Sequence, residues 1–368
     1  MHRLESLGWN PFFEAQIDHD HDAELIPARV VEEQRGSYQL AGADPASGAD
    51  SEWRGELAGR LRHDMAGDWS AAPCTGDWVM ARVPPAHENG SPALIHRVLM
   101  RRTKFSRKEA GNRSAEQIIA ANVDTIFLVQ SLNRDLNPRR LERYLALLWE
   151  SGAEPVIVLS KADLCAEPEP LLAQVRQAAR GVTVHVTSSV EAHGLDALAP
   201  YLSIGRTVAL VGSSGVGKST IVNRLRGEEV MRVKGIREDD RGRHTTTSRH
   251  LVMLPGGGML LDTPGMRTVL MWEGEEGLKT AFEDIEAIAA RCKFRDCKHD
   301  AEPGCAVRES IETGELDAGR YRNYQKVGRE IVHEAAKTDV RVRMEQQRKW
   351  RKIHLEARKR PDKRRNYR

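Results

Sequence analysis

The pattern of hydrophobic and polar residues divides the chain into regions with different predicted elements. Between residues 28 and 102, short apolar runs are broken by Gly, Pro and Asp, with little helical periodicity. Short strands separated by turn residues predict a small all-β barrel or sandwich. The strand-like runs lie at 28–31, 36–40, 77–83 and 94–99. We expect an OB-type barrel, the small barrel most often used on nucleic acid, although an SH3-like barrel would show the same pattern.

From about residue 122 the pattern becomes that of an α/β domain. Continuous apolar runs alternate with helical stretches, which is typical of buried parallel strands covered by helices on both faces. The predicted strands are 123–129, 155–159, 182–186, 207–211, 251–254 and 259–261, and the predicted helices are 138–151, 171–179 and 220–225. After about residue 274 the chain is helical and charged, and a group of cysteines interrupts it.

These patterns predict a multidomain protein, as expected for a chain of 368 residues. The predicted parts are a flexible leader (1–27), the OB-type barrel (28–102), the α/β domain (113–270), a helical domain (271–340) and a basic tail (341–368). No apolar run approaches the roughly 18 residues needed to cross a bilayer. Residues 1–22 lack the apolar core of a secretion signal. We therefore expect a cytoplasmic protein with no membrane partner.

Charge is distributed unevenly along the chain. Residues 341–368 contain 13 Lys and Arg against 3 Asp and Glu, a local charge of +10, whereas the whole chain carries only +3. A concentrated basic end on an otherwise acidic protein indicates a polyanionic partner. The alternative is a solvated tail without a partner.

One glycine-rich segment matches the phosphate-loop pattern G-x-x-x-x-G-K-[ST] at every fixed position. It lies between a predicted strand and a predicted helix, where backbone N–H groups and the helix dipole favour phosphate. We expect Lys218 to reach the β- and γ-phosphates and the Ser219 hydroxyl to ligate Mg²⁺. The residues predicted to bind phosphate are Gly212, Ser213, Ser214, Gly215, Val216, Gly217, Lys218, Ser219 and Thr220.

Two further segments predict a γ-phosphate and magnesium site. Asp262-Thr263-Pro264-Gly265 ends an apolar strand with the pattern D-x-x-G. Asp262 is expected to hold Mg²⁺ through water, and the Gly265 amide is expected to sense the γ-phosphate. Residues 242–247 form a polar loop with three threonines, one of which would complete the Mg²⁺ shell. Thr246 is the favoured candidate, and the neighbouring threonines are the alternatives.

Two segments upstream predict recognition of guanine rather than adenine. Ser160-Lys161-Ala162-Asp163 ends a predicted strand. A carboxylate at position 163 can accept the N1–H and the exocyclic amine of guanine, a donor pair that adenine lacks. The Lys161 stem would lie along the base. Thr187-Ser188-Ser189 follows another predicted strand and would support the base with a main-chain amide.

The order of these motifs along the chain is unusual. The base-recognition segments precede the phosphate loop, whereas in an ordinary GTPase they follow the D-x-x-G element. Joining the old chain ends and cutting after D-x-x-G reproduces the order seen here, with the strand 123–129 moved to the start of the α/β domain. Such a rearrangement is tolerated when the termini of a domain lie close together at its surface. The α/β domain is therefore predicted to be a circularly permuted P-loop GTPase.

Three of the five cysteines and one histidine form a cluster with the spacing C-x4-C-x-H-x5-C. Without a secretion signal, metal binding is a better interpretation than disulfides. Three thiolates and one imidazole satisfy the tetrahedral requirement of a closed, structural Zn²⁺ site, so we expect no metal catalysis there. The predicted ligands are Cys292, Cys297, His299 and Cys305.

The β-barrel, the permuted GTPase motifs and the cysteine cluster together closely resemble the small ribosomal subunit biogenesis GTPase family, RsgA (YjeQ/YloQ), over about residues 28–335. The resemblance implies an OB-fold, a permuted GTPase domain and a zinc-binding helical domain. It also implies GTP hydrolysis stimulated by the small ribosomal subunit during its late maturation. Residues 242–246 match the family's switch I, with His244 as the candidate catalytic histidine. Ser160 departs from the family because it replaces the usual Asn, an amide that braces the base loop.

The residue after the D-x-x-G element, Met266, predicts slow hydrolysis by the protein alone. Many GTPases use a Gln at this position to orient the attacking water, and an apolar side chain cannot do so. Completing a GTPase site from outside can be worth about 10³–10⁵ in rate. We expect docking on ribosomal RNA to bring His244 toward the water.

Two other functions remain open at this stage. One is a nucleotide-gated RNA-binding switch whose hydrolysis is incidental. The other is a P-loop ATPase or kinase, against which Asp163 argues. The expected partners are the small ribosomal subunit and its rRNA, and nothing in the sequence requires more than a monomer.

Overall fold

The computed structural model describes residues 3–34, 36–65, 71–85, 90–108, 116–133, 136–188, 194–213, 215–227, 249–262, 275–300 and 302–338. Among these residues, no helix combines the length and the apolar character needed to cross a membrane.

The first part of the chain forms a five-stranded barrel preceded by two short helices. Its elements are α1 (Arg3–Ser6), α2 (Pro11–Glu14), β1 (Ile26–Gln34), β2 (Ser37–Ala43), β3 (Asp50–Leu57), α3 (Gly59–Asp64), β4 (Trp78–Arg82) and β5 (Ala93–Val98). β1 pairs with β2, β2 with β3, β3 in parallel with β5, and β5 with β4, while β4 pairs with β1 and closes the circle. A five-stranded barrel with this strand order is of the OB type, so the predicted barrel is confirmed.

Inward-facing apolar residues at alternate positions hold the barrel together. Ala28 and Val30 of β1, Leu40 of β2 and Ile95 of β5 are fully buried in its core. This alternation is the period of a strand with one buried face. The predicted runs correspond to β1, β2, β4 and β5. β3 was not among them because most of its residues are exposed or half-buried, which leaves no continuous apolar run.

Residues 3–25 differ from the flexible leader predicted for the start of the chain. Leu7 and Phe13 are 1% and 2% exposed. Trp9 stacks with Phe13 and makes an edge contact with Trp78 of β4, with ring centroids 5.8 and 4.8 Å apart. These few apolar residues hold the segment against the barrel, although the segment as a whole is polar and acidic.

The second part of the chain is an α/β domain preceded by a β-hairpin. The hairpin strands are β6 (Lys104–Lys108) and β7 (Glu116–Ala121), and none of the predicted strands corresponds to them. The domain contains β8 (Thr125–Ser131), α4 (Pro138–Glu150), β9 (Glu154–Ser160), α5 (Glu169–Ala178), β10 (Thr183–Val186), β11 (Thr207–Val211), α6 (Lys218–Arg226), β12 (Arg249–Met253) and β13 (Met259–Asp262). Short 3₁₀ helices lie at Ala162–Leu164 and Asp196–Leu202. All six predicted strands and all three predicted helices of this domain are present.

The strand order of this sheet agrees with a circular permutation. The order is β10-β9-β8-β11-β13-β12, and every neighbouring pair is parallel except β12 with β13. β11, which leads into the phosphate loop, lies between β13 and β8. β8 therefore occupies the place of the strand that would follow β13 in an unpermuted chain, although it begins the domain here. The phosphate loop lies where the strand order reverses, the usual ligand-binding point of an open α/β sheet.

The barrel and the α/β domain share one continuous sheet through the two ends of β1. The amino-terminal half of β1 pairs with β4, whereas Glu32 and Glu33 pair with His250 and Arg249 of β12. A register shift between Val30 and Glu32 in the pairing with β2 marks a bulge between these halves. A bulge bends a strand and increases its twist, which lets one strand take part in two ladders.

A buried arginine also joins the two domains. Arg29 is 2% exposed, and burial lowers its pKa to about 10. Its guanidinium donates hydrogen bonds to the carbonyl oxygens of Leu7, Gly76 and Asn122 and to the Thr207 hydroxyl. The leader, the barrel and the α/β domain therefore meet at one side chain.

The third part of the chain is a group of helices that packs against α4. Its elements are α7 (Glu275–Ala281), α8 (Glu283–Ala289), α9 (Ala306–Glu312) and α10 (Ala318–Thr338). Phe282, Ile285 and Val307 are buried in its core. A Cβ atom at Gly277 would collide with the carbonyl oxygen of Ala146, so α7 and α4 approach closely only because this residue is glycine.

A buried ion-pair network fixes these helices to the α/β domain. Arg320 of α10 is 4% exposed and donates to both carboxylate oxygens of Asp284 at 2.8 and 2.9 Å. It also donates to Glu142 of α4 at 2.7 Å. Asn323 donates to the other Glu142 oxygen at 2.6 Å. Arg139 donates to Glu142 at 3.0 Å as well. Glu142 is 1% exposed, so its charge depends on these three partners.

Candidate functional site

Close packing at the start of the phosphate loop, residues 212–219, requires glycine. Gly212 follows β11 with a φ of +151°, and a Cβ atom there would collide with the carbonyl oxygen of Val129 in the adjacent strand. Gly217 precedes α6 with a φ of +92°, a conformation that other residues rarely adopt. The fixed glycines of the predicted motif therefore correspond to real steric requirements.

The Lys218 ammonium lies over the phosphate loop. Its Nζ donates to the carbonyl oxygens of Gly212 and Ser213 at 2.7 and 2.6 Å. Ser219 and Thr220 follow in the first turn of α6, a nine-residue helix whose N-terminal N–H groups favour an anion. The loop, the cation and the helix end are thus arranged as a phosphate site. Ser214 lies outside the described residues.

The two segments predicted to hold the base lie side by side at the ends of β9 and β10. The Thr187 amide donates to the Leu159 carbonyl at 2.8 Å, and the Ala162 amide donates to the Thr187 carbonyl at 3.2 Å. Lys161 has a left-handed backbone conformation, with φ +59°, at the start of the 3₁₀ turn. We call residues 160–163 the base loop. Ser189 lies outside the described residues.

The Asp163 carboxylate is oriented by a hydroxyl from the second segment. Ser188 donates to its Oδ1 atom at 2.6 Å. Asp163 is exposed, whereas Thr187 and Ser188 are fully buried. The carboxylate is therefore accessible at the edge of the sheet where the phosphate loop also lies.

Ser160 connects the base loop to the phosphate loop. It is 2% exposed, and its Oγ atom lies 2.5 Å from the Val216 carbonyl oxygen and 3.2 Å from that of Gln130. Its single hydroxyl proton can be donated to one of these oxygens at a time. The replacement of Asn by Ser therefore does not remove all bracing, because a shorter side chain still spans the two loops.

The structure describes only part of the predicted magnesium site. Asp262 is the last residue of β13, and its backbone pairs with that of His250 on β12. Its side chain lies outside the described part of the chain, as do Gly265, Thr246, Met266 and the candidate catalytic His244.

The four predicted zinc ligands are brought together. The candidate ligand atoms of Cys292, Cys297, His299 and Cys305 all lie within 4.8 Å of one another. The His299 Nδ1 atom is 3.5 Å from the Sγ atoms of both Cys292 and Cys305. His299 has a left-handed backbone conformation, with a φ of +61°, which is uncommon for residues other than glycine.

Within the cluster, the surroundings of Cys292 favour a thiolate, whereas burial raises the pKa of Cys297 to about 11. Burial raises the pKa of Cys292, but the amides of Val307 and Ala306, together with the neighbouring thiols, lower it below its usual value. These amides lie at the N-terminus of α9, where the helix dipole also favours negative charge. Three soft sulfur donors and one imidazole within this distance fit a tetrahedral Zn²⁺ ion.

A cavity of about 330 Å³ lies elsewhere, at the junction of leader, barrel and α/β domain. Trp9, Arg29, Asn122 and Asp124 contribute to its lining. It borders the amino-terminal ends of β8 and β11, whereas the phosphate loop follows the carboxyl end of β11. The Arg29 N–H groups are already bonded within the protein, and the cavity lies at the opposite end of these strands from the phosphate loop.

Sequence reasoning missed the contacts that join the parts of the protein. Examples are Ser160 with Val216, Arg320 with Glu142, and Glu32 with His250. The partners in each pair are separated by 56 to 218 residues, so no local pattern connects them, although Ser160 and Val216 each lie in a predicted motif. Glu142 and Arg320 offer one weak sequence signal. Each is a charged residue on the buried face of an amphipathic helix.

Comparisons with family models and with curated proteins find the same family. The family model described as "RsgA GTPase" matches residues 98–272. A Vibrio parahaemolyticus protein named "Small ribosomal subunit biogenesis GTPase RsgA 2" is 44% identical over 334 residues, covering 90% of this chain and 87% of its own length. A Streptomyces avermitilis protein named "Small ribosomal subunit biogenesis GTPase RsgA" is 44% identical over 364 residues, covering 97% and 93%.

Solved structures are similar over most of the chain. The crystal structure of YjeQ from Thermotoga maritima matches with a TM-score of 0.62 and 25% identity, covering 84% of this chain and 99% of that one. YloQ, described as a circularly permuted GTPase, matches with a TM-score of 0.60 and 27% identity, covering 86% and 98%. The circular permutation named for YloQ agrees with the strand order of the sheet in this chain.

Proposed function

The chain belongs to the RsgA family of small ribosomal subunit biogenesis GTPases, and from this membership we propose that it hydrolyses GTP to GDP and phosphate while bound to the small ribosomal subunit, late in the maturation of that subunit. The observation that carries the proposal is the joined pair of loops at one edge of the sheet. The phosphate loop and the base loop are linked through the buried Ser160 hydroxyl. A single nucleotide can therefore be held at both of its ends.

In the proposed complex, the phosphate loop holds the phosphates and the base loop holds guanine. The Lys218 ammonium exchanges its carbonyl partners for β- and γ-phosphate oxygens. Asp163, already oriented by Ser188, accepts the two guanine donors. Ser160, Lys161, Ala162 and the segment 187–189 line the base, and Ser160 acts through the Val216 contact.

The proposed magnesium ligands are Ser219, Thr246 and Asp262. When bound, Mg²⁺ would neutralise charge that develops on the β- and γ-phosphate oxygens. The Gly265 amide is proposed to sense the γ-phosphate, and His244 is proposed to be the catalytic residue that orients the attacking water. Fast hydrolysis then needs an activating contact from outside this chain, because Met266 offers no polar group at the position after D-x-x-G.

The zinc ion is proposed to have a structural role. Cys292, Cys297, His299 and Cys305 would fill all four tetrahedral positions and leave none for substrate. The ion would fix the loop between α8 and α9.

The proposed partner is the small subunit together with its rRNA, contacted by the OB-type barrel and the basic tail, residues 341–368. We propose a monomer acting in the cytoplasm. Contacts of Lys and Arg with phosphates release counterions, so the affinity should fall steeply as salt rises.

A second candidate function has one observation in its favour. Met266 predicts slow intrinsic hydrolysis, and a protein that hydrolyses GTP slowly can serve as a nucleotide-gated RNA-binding switch. In that case binding to the subunit would depend on the nucleotide, whereas turnover would not depend on the subunit.

Co-sedimentation with purified small and large subunits tests the partner. The protein should pellet with the small subunit in the presence of a non-hydrolysable GTP analogue, less with GDP, and not with the large subunit. The bound fraction should fall between 50 and roughly 200 mM salt. Equal pelleting with both subunits in both nucleotide states would contradict the proposal.

A further inference from the structure

The seam between β1 and β12 connects the barrel to the predicted magnesium strand. Glu32 of β1 lies directly across from His250 of β12, and His250 lies directly across from Asp262 of β13. These three residues form a row that crosses three neighbouring strands. One end of the row belongs to the barrel, and the other is the residue proposed to hold magnesium.

A side-chain contact reinforces this row. The His250 Nε2 atom lies 3.0 Å from the Glu32 Oε1 atom, and their side chains are 43% and 21% exposed. Gln34 donates to the same oxygen. Among the described residues the β1–β12 ladder contains two residue pairs, so the side-chain contact adds substantially to what holds β12 against the barrel.

The bulge in β1 makes this contact possible. Residues before the bulge pair with β4 and close the barrel, whereas residues after it pair with β12. Without β1, the outer edge of β12 would have no strand partner among the described residues. The same barrel strand also reaches the start of β13, because the Arg29 Nη1 atom lies 3.6 Å from the Met259 sulfur. β1 thus supports β13, the predicted magnesium strand, at both of its ends. It contacts Met259 directly, and it reaches Asp262 through His250.

We propose that Glu32 is a positioning residue for the GTPase reaction, and that the barrel holds the magnesium-binding strand in place through the Glu32–His250 contact. This inference rests on the proposed function of Asp262. An event that moves the barrel, such as docking on the small subunit, changes the support of β12 and thereby of β13. The barrel in this account is part of the GTPase machinery as well as a binding module.

The test compares variants of the pair by the Mg²⁺ dependence of GTP turnover without ribosomes. Glu32→Ala should raise the Mg²⁺ concentration for half-maximal turnover about three- to tenfold, with kcat at saturating Mg²⁺ nearly unchanged. His250→Ala should do the same. The double variant should need no more Mg²⁺ for half-maximal turnover than either single variant, because each substitution removes the same contact. Glu32→Gln keeps an acceptor for His250 and should restore most of the Mg²⁺ response.

Glu52→Ala is the matched control. Glu52 is an exposed carboxylate on β3 of the same barrel, and its contact in the barrel is with Gln39 at 3.4 Å. This variant should keep the Mg²⁺ response of the wild type. The proposal is overturned if Glu32→Ala behaves like Glu52→Ala, if the losses multiply in the double variant, or if Glu32→Ala lowers only the melting temperature.

The same variants with small subunits added separate this inference from the proposed function. Glu32→Ala should lower the stimulated kcat several-fold without changing the KM for the subunit. If the wild type is not stimulated, the proposed partner is wrong, and the Mg²⁺ response of the unstimulated reaction still decides the role of Glu32.

Discussion

The hydroxyl oxygen of Ser160 lies 2.5 Å from the main-chain carbonyl oxygen of Val216, and this contact joins the base loop to the phosphate loop. The two residues are 56 positions apart in the chain. The resemblance to the family led us to expect Asn at this position, and here a serine hydroxyl makes the contact. The contact makes the two halves of the nucleotide site one unit.

Replacing Ser160 with Ala should weaken nucleotide binding. The loss of one buried hydrogen bond costs about 1 kcal/mol, which is roughly a fivefold increase in Kd. Titration with a fluorescent GDP analogue measures this change directly. Ser51→Ala, a change to a serine on the barrel strand β3, should leave the Kd unaltered. An unchanged Kd for Ser160→Ala would mean that the loops are held together by other contacts.

Asp163→Asn should change the base that the protein prefers. The carboxylate accepts two guanine donors, whereas an amide can donate to the carbonyl that xanthine carries in place of the guanine amine. GTP affinity should fall by at least about 10²-fold, since the two guanine donors would lose the carboxylate that accepts both of them. Xanthosine triphosphate should then compete better than GTP. Asp196→Asn, an exposed carboxylate on the neighbouring 3₁₀ helix, serves as the control, and a similar loss in that variant would contradict the assignment.

The cysteine cluster should retain one zinc ion per chain after dialysis, as four ligands imply. Cys292→Ser should reduce the retained zinc by more than roughly tenfold and lower the melting temperature of the protein. Metal analysis of the dialysed protein provides the measurement. Cys165→Ser changes a thiol outside the cluster and should retain the zinc of the wild type. Equal zinc content in the two variants would show that the cluster does not bind the ion.

Arg320→Ala should destabilise the junction between α4, α8 and α10. Removing the cation deletes charged hydrogen bonds to Glu142 and Asp284, and Glu142 keeps Arg139 at 3.0 Å. We expect a cost of about 1.5–3 kcal/mol, the range for hydrogen bonds to charged groups. Arg308→Ala, at an exposed pair on α9, should change the free energy of unfolding by less than about 0.5 kcal/mol. Urea denaturation of the two variants measures both changes in the free energy of unfolding.

The same network has a defined pH dependence. Burial raises the pKa of Asp284, but the hydrogen bonds and charge of Arg320, with the charge of Arg180, lower it below its usual value. A carboxyl with a lowered folded pKa stabilises the protein above the unfolded pKa, about 3.9, and loses that contribution as pH falls through the folded pKa. The stability difference between wild type and Asp284→Asn should therefore be constant from about pH 6 to 8 and shrink below about pH 4. A difference that grows in acid would contradict this account.

The sequence was most informative for sites whose residues follow a known short motif. The phosphate loop, the base loop and the zinc cluster each consist of residues close together in the chain, and the apolar runs predicted the six strands of the α/β sheet. The packing of the leader was not predicted, because Leu7, Trp9 and Phe13 are few among polar residues. β3 was also missed, since it has no continuous apolar run. The β6–β7 hairpin was missed although residues 118–121 of β7 form a short apolar run.

Contacts between the parts of the protein could not be predicted in this way. Whether Glu32 faces His250 depends on a bulge and on the register between strands 218 residues apart. A shift of one residue in this register would place the Glu32 and His250 side chains on opposite faces of the sheet. Such pairs carry no local signal, although they decide how the barrel and the GTPase domain act together.

The most direct test of the central claim is GTP turnover by the purified protein, measured alone, with small subunits and with large subunits, with ATP as the control substrate. The account predicts slow turnover of GTP by the protein alone and a stimulation of about 10²-fold or more by the small subunit, within the range by which completing a GTPase site acts. Large subunits should have little effect, and ATP should not be hydrolysed. Equal, slow turnover under all conditions would leave a GTPase fold but contradict activation by the small subunit.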